Sequence, residues 1–198
     1  ALDEFADARP FNLARLPVGS EGTLGTTLEA KINLVPRPAP GNVALMVVHF
    51  RDMFEALASA QEILTTSPSG VELVDKYVLD LTRASLEYAR QLTFVQGRPG
   101  ALLLVEYQGE SRAELADKLD RLESRLRRQR IGTAYTRAGE PVEQQRIWNV
   151  RKVGMALLLG MPGDGKPVAG IEDTAVAPEK LANYIRRLDE VIQRHGAQ

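Results

Sequence analysis

The chain has 198 residues with 44% apolar content, enough for a sizeable core, and its 25 Lys and Arg against 26 Asp and Glu give a formal net charge of −1. That balance offers no basic excess to attract nucleic acid and no acidic tail. The absence of cysteine excludes disulfides, thiolate zinc sites, iron–sulfur ligation and a cysteine nucleophile within these residues and fits a reducing, cytoplasmic compartment, while no apolar run approaches the ~20 residues of a membrane span.

The first informative segment in chain order is Gly19-Ser20-Glu21-Gly22-Thr23-Leu24-Gly25. Glycine admits positive φ and lacks the Cβ that keeps a ligand away from main-chain N–H groups, so the spacing describes either an ordinary Gly-rich turn or backbone built for close approach to a ligand. Leu28, Ala30, Ile32 and Leu34 then alternate with Glu29, Lys31 and Asn33, which predicts a half-buried strand. Pro36, Pro38, Pro40 and Gly41 end it and mark a domain boundary. Phe5, Phe11, Leu13 and Leu16 before the glycines have no period. Residues 42–198 are therefore expected to form one domain, and residues 1–41 to be the remnant of another plus a linker, poorly packed on the first.

In the domain beginning at residue 42 the pattern predicts a strand over Val43 to Phe50 and a helix opened by the capping box Asp52-Met53-Phe54-Glu55. Next come a short strand over Val71 to Val74, a helix from Asp75 to Leu92 and a strand from Ala101 to Gln108. Ser111-Arg112-Ala113-Glu114 opens a long helix with Leu115, Leu119, Leu122 and Leu126 in one stripe, and Ile131 to Thr136 reads as a strand. Pro141 to Leu159 is predicted helical and Val168 to Asp173 extended. Pro178 begins a last helix whose Leu181, Ile185, Leu188 and Ile192 are expected to face the core, with Gly196 past its end. Few strands and no βαβ phosphate loop favour an α+β fold, an antiparallel sheet with helices packed on one face.

Five ordered segments carry a resemblance to the FAD-linked oxidases of the D-2-hydroxyacid dehydrogenase type. They are the glycine segment, Gly70-Val71-Glu72-Leu73-Val74-Asp75, Leu103-Leu104-Val105-Glu106-Tyr107-Gln108-Gly109, Ile147-Trp148-Asn149-Val150-Arg151-Lys152, and Ile171-Glu172-Asp173-Thr174-Ala175-Val176. The segment Leu157 to Lys166 and the Glu172 to Val176 wording look most like the large bacterial members fused to an iron–sulfur domain. The resemblance implies a C-terminal cap domain with ferredoxin-like elements, truncated at its C-terminal end, and an activity that transfers hydride from a small D-2-hydroxyacid, of the D-lactate or D-2-hydroxyglutarate type, to FAD. It implies that Gly19, Ser20, Glu21, Gly22, Thr23, Leu24 and Gly25 lie against the flavin, although Thr26 stands where the family carries an aliphatic residue. It also implies partners in the rest of an FAD domain and an iron–sulfur domain. The chain alone is expected neither to retain FAD nor to be active, since the family's histidine segment lies beyond the last helix; no catalytic residue is assigned here.

Arg151 is the candidate substrate ligand that the resemblance implies, because a planar guanidinium can hold a carboxylate by two parallel hydrogen bonds while hydride transfer demands fixed distance and angle. The alternative is a helix-surface arginine paired with Glu143 or another acid. Trp148, three residues earlier, is either core or a substrate wall. Glu172 and Asp173, adjacent on a predicted strand, point to opposite faces and do not readily share a proton. Gly160 to Lys166 spells G-x-x-x-x-G-K, but Pro167 comes next where a hydroxyl is needed and a helix precedes, so it reads as a mobile loop. His49 and His195 have no metal-ligand spacing, and no metal site is expected. A second functional class, a stand-alone α+β interaction or small-ligand module, would leave the glycine segment and the Trp148/Arg151 pairing unexplained.

Overall fold

The computed structural model describes residues 13–18, 20, 22–36, 38–39, 41–164 and 174–196. The chain divides into two compact units, Ala1–Arg37 and Pro38–Gln198. In the first, a single 3-10 turn, Leu13–Arg15, is the only regular element among the described residues. Residues 25–36 form no strand, which corrects the expectation for Leu28 to Leu34. The alternation is present, but a strand needs a neighbour for its N–H and C=O groups, and among the described residues none pairs with it.

The second unit runs β1 (Val43–Phe50), α1 (Met53–Leu64), β2 (Gly70–Asp75), α2 (Lys76–Ala84), a 3-10 segment (Ala89–Phe94), β3 (Ala101–Gln108), α3 (Arg112–Gln129), β4 (Ala134–Ala138), α4 (Pro141–Leu159) and α5 (Pro178–Arg194). The four strands make one antiparallel sheet in the order β2-β3-β1-β4. β1 pairs with β3 from Val43↔Gln108 to Phe50↔Ala101 and with β4 from Leu45↔Ala138 to His49↔Ala134. Strands β1 to β4 with crossovers α1 and α3 have the ferredoxin-like β-α-β-β-α-β order. The α+β class with an antiparallel sheet is therefore the observed one.

The helices cover both faces of the sheet, where one covered face was expected. Met46, Val48, Phe50, Leu103, Val105 and Tyr107 pack against Ile63 of α1 and Leu115, Leu119, Leu122 and Leu126 of α3. Leu45, Val47, Leu102 and Leu104 face the other way, onto Leu79 of α2, Phe94, and Ile147 and Val150 of α4. The reason lies in the strands themselves: V-A-L-M-V-V-H-F and A-L-L-L-V-E-Y are almost continuous apolar runs, and a sheet wetted on one side would alternate instead. Each Leu or Val so buried is worth about 1.5–3 kcal/mol.

Both expected caps form, in a displaced version. Glu55 N–H donates to Asp52 at 2.8 Å and Glu114 N–H to Ser111 Oγ at 3.2 Å. The returning carboxylates accept from Arg51 N–H at 3.0 Å and Glu110 N–H at 2.7 Å, one residue earlier than the capping box predicts. The single helix expected from Asp75 to Leu92 breaks at Ser85, which is extended. Its hydroxyl accepts from Tyr88 N–H at 3.3 Å and starts a new turn, the local competition that makes serine a poor helix-interior residue. The strand expected at Ile131 begins instead at Ala134, because Arg130 (φ 59) and Gly132 (φ 79) are left-handed and turn the chain first. Gly132 is required there twice over, since a Cβ would also lie 2.7 Å from Val48 Cγ1. Leu181, Ile185, Leu188 and Ile192 are half-buried rather than core; α5 packs on α1 and buries no residue fully. The strand expected from Val168 to Asp173 lies outside the described residues.

Candidate functional site

Helix α4 has two working sides. Ile147, Val150 and Gly154 recur at helical spacing and are buried, anchoring α4 on the sheet and on α2. Trp148, Arg151, Met155 and Leu159 recur at the same spacing along a neighbouring stripe. Met155 and Leu159 are exposed, and Trp148 is half-buried, one part packed on the Leu45–Val47–Ile147 cluster. This side of α4 therefore presents Met155 and Leu159 at the surface beside the partly covered Trp148.

Arg151 sits within that stripe, and its Nε donates to Glu72 Oε2 of β2 at 3.0 Å. Both side chains remain accessible, 50% for Arg151 and 41% for Glu72. Glu72 points to the α4 side because strand residues alternate: Val71 and Leu73 pack on the opposite face, while Val74, two residues on, is buried on this one. Glu143, the other acid considered for Arg151, is occupied at the N-terminus of α4, where it accepts from Glu140 N–H at 3.4 Å. Two segments that carry the resemblance separately are thus brought together by one ion pair. The sequence does not announce the partnership of Glu72, since nothing local to a strand predicts which helix its exposed face will meet. Asp75, the last residue of that segment, has a purely structural duty and caps α2 by accepting from Val78 N–H at 2.9 Å.

In the glycine segment, Gly19 and Glu21 lie outside the described residues. Thr23 N–H donates to Ser20 O at 2.8 Å, closing a turn with Gly22 at its third position and φ 76, the conformation that favours glycine. Cβ atoms built at Gly22 and Gly25 would meet nothing within 4 Å, and Thr23 and Leu24 are exposed. The described main chain at Gly22 and Gly25 is thus open to close approach by a neighbour.

His49 is a core residue. It is fully buried in β1, its Nδ1 donating to Ala134 O at 3.1 Å and its Nε2 accepting from Gln96 N–H at 3.0 Å. Burial holds its pKa below the ordinary histidine value. Both ring nitrogens are used, so the imidazole has no free position for metal or substrate. Among the described residues no group of three or more His, Asp or Glu could hold a metal ion. Glu172, Asp173, Gly165, Lys166 and Pro167 lie outside them; the preceding Gly160 caps α4, so the G-x-x-x-x-G-K resemblance begins at a helix end. A groove of about 590 Å³ along α3, closed by Thr66 and by Tyr107 of β3, is lined by Lys118, Arg121, Arg125, Arg128 and Asp120. Three of those cations already face acids, Glu114, Asp117 and Glu62 respectively, so the groove carries little net charge. No helix among the described residues is long and apolar enough to cross a membrane.

The sequence pattern of the C-terminal domain of FAD linked oxidases matches residues 39–198. A D-2-hydroxyglutarate dehydrogenase of Pseudomonas putida is 30% identical over 194 residues, covering 94% of this chain and 19% of its own length. The corresponding enzyme of Pantoea ananatis is 31% identical over 200 residues, with 96% and 19% covered. A D-lactate dehydrogenase of Archaeoglobus fulgidus is 27% identical over 192 residues, with 95% and 38% covered. The chain thus spans about a fifth of the length of the two hydroxyglutarate enzymes it matches.

Proposed function

The chain belongs to the FAD linked oxidase C-terminal domain family, and from that premise we propose that it is the cap region of an FAD-dependent dehydrogenase oxidising a D-2-hydroxyacid of the D-2-hydroxyglutarate or D-lactate type. Residues 42–198 belong to the substrate-covering domain in this reading, and residues 1–41 are the last stretch of the flavin-binding domain with its linker. Gly19, Ser20, Glu21, Gly22, Thr23, Leu24 and Gly25 provide one wall of the cofactor site, which is why the chain alone is not expected to keep FAD or turn over substrate. The remaining walls come from the rest of the parent, which we take to be cytoplasmic and to carry an iron–sulfur domain as well.

The observation that carries the reading is the setting of Arg151: an accessible guanidinium, held at one edge, inside an open apolar stripe beside Trp148. When bound, FAD supplies the hydride acceptor. Arg151 grips the substrate carboxylate by two parallel hydrogen bonds, and Trp148 forms a wall against the carbon chain and excludes water from it. Fixing the carboxylate fixes the neighbouring carbon, whose hydrogen must be aligned for transfer.

The test is Arg151→Ala in the full-length parent. It should lower kcat/KM on the preferred D-2-hydroxyacid by about 100-fold, the order expected when a charge-assisted fork is removed and its partner left desolvated. Arg151→Lys should recover only part of this, because a point charge cannot reproduce the fork. Flavin content and melting temperature check that the variants are folded. A near-normal kcat/KM for Arg151→Ala would reduce Arg151 to a surface ion-pair partner.

A further inference from the structure

We propose that Glu72 is a positioning residue for Arg151, fixing the Nε edge of the guanidinium so that its two Nη groups stand ready as a fork for the substrate carboxylate. The proposal rests on Arg151 being the substrate's anchor. Nε is the atom engaged, at 3.0 Å from Glu72 Oε2. Among the described residues no other acid lies within ion-pair distance of Arg151. A guanidinium is rigid and planar, with one N–H on Nε and two on each Nη, so holding one edge orients the other.

Glu72 is suited to that task by its mounting. It sits on strand β2 opposite Leu104, a residue buried in the core, so its backbone is fixed by the sheet while its carboxylate reaches out to α4. Arg151 carries a long side chain with much rotamer freedom, and a ligand that had to immobilise it would lose affinity to that ordering. The pair is too exposed to contribute much to folding, so its value lies in orientation. It has a consequence for selectivity: the glutamate offsets the arginine's charge, leaving the site to recognise a planar carboxylate by its geometry more than any anion by its sign.

The experiment uses the full-length flavoenzyme as wild type, Glu72→Gln, Glu72→Ala, Arg151→Ala and the Glu72→Ala/Arg151→Ala double variant. KM and kcat are measured on the preferred D-2-hydroxyacid, and the inhibition constant is measured for oxalate, a planar dicarboxylate with no hydrogen to give up. Glu72→Ala should raise both KM and the oxalate constant about tenfold, as for loss of one charge-assisted hydrogen bond. Glu72→Gln, whose amide oxygen still accepts from Nε, should stay within about threefold of wild type. In the Arg151→Ala background the Glu72 substitution should add nothing. Wild-type constants in Glu72→Ala alongside a crippled Arg151→Ala would overturn the role of Glu72 and leave that of Arg151 standing. Tighter oxalate binding in Glu72→Ala would make the glutamate a competitor and overturn the proposal. A rise that persists in the double variant would mark a structural effect and overturn it too. Full activity in Arg151→Ala would remove the anchor, and both readings with it.

Discussion

Strand β1 and residues 28–35 are built from similar material and meet opposite fates. In β1, Leu45, Met46, Val47 and Val48 are completely buried, whereas Leu28 is 95%, Ile32 78% and Leu34 89% exposed. The second segment has the cleaner strand signature, a strict alternation with Glu29, Lys31 and Asn33. The difference is in partners: β1 is paired on both edges and covered on both faces, and residues 25–36 are in no strand at all. Alternation is thus a conditional instruction. It names the face a strand will bury if a sheet is offered, and it cannot supply the sheet.

The comparison can be broken most forcefully from the buried side. Leu102 lies in β3, opposite His49 on one neighbour and Val74 on the other, and is fully buried. Leu102→Ala should cost about 2–5 kcal/mol, the range for leucine truncation in a close-packed core, measured as the shift in urea midpoint at unchanged slope. A loss under about 1 kcal/mol would mean that this face of the sheet is loosely filled and that the two segments differ less than their exposures indicate.

A smaller effect probes how β1 is held at its polar position. His49 is neutral in the fold, since Nε2 accepts from Gln96 N–H, and its folded pKa lies below the 6.5 of the free side chain because burial penalises the cation. The unfolded chain then takes up the proton first, so this contribution is complete above about pH 6.5 and shrinks as pH falls through that value toward the lower folded pKa. Breaking the Gln96 bond puts about 1–3 kcal/mol at stake. The window to measure is pH 7 to 5, above the usual carboxylate range; Glu123, despite burial that pushes it up, is held below that range by Arg127 and Arg137, and Glu62 is held there by Arg125 and Gln129. His49→Gln should flatten the urea-midpoint profile over that window. A wild-type profile already flat there would show that protonation does not disturb the Gln96 contact.

Much of the second unit was legible because it is local. The exact limits of Val43–Phe50, Ala101–Gln108 and Pro141–Leu159 come from apolar runs bounded by glycine, proline and caps. What escaped is what depends on partners or on competing local bonds. The Ser85 hydroxyl ended a helix that periodicity would have continued, and Arg130 took a left-handed conformation that no pattern announces. The two covered faces are written in the almost continuous apolar runs of β1 and β3, which His49 and Glu106 interrupt only once each. For the site, Arg151 and Trp148 stood out through the resemblance. The tie to Glu72 joins residues 79 positions apart and needed the sheet to be seen.

The smallest expected effect is the sharpest test of the contrast. Leu28 and Leu34 have almost no neighbours to lose, so Leu28→Ser and Leu34→Ser should each leave the urea midpoint of this chain within about 0.5 kcal/mol of wild type, as surface changes do. If anything, solubility should improve, because a run of exposed apolar side chains is an aggregation liability. In the full-length parent the same substitutions should behave differently. There, on the proposed reading, the segment is the end of the flavin domain, and its alternating face has a sheet to bury against. A buried leucine replaced by a polar residue should then cost several kcal/mol and loosen flavin, read as a lower melting temperature and a reduced flavin-to-protein absorbance ratio. Neutral in the chain and damaging in the parent is the expected pair of results. Destabilisation of the isolated chain by more than about 1 kcal/mol would show residues 28–34 already packed, and the contrast with β1 would collapse. Neutrality in both would show that the alternation has no partner in the parent either, and would remove residues 1–41 from the flavin domain.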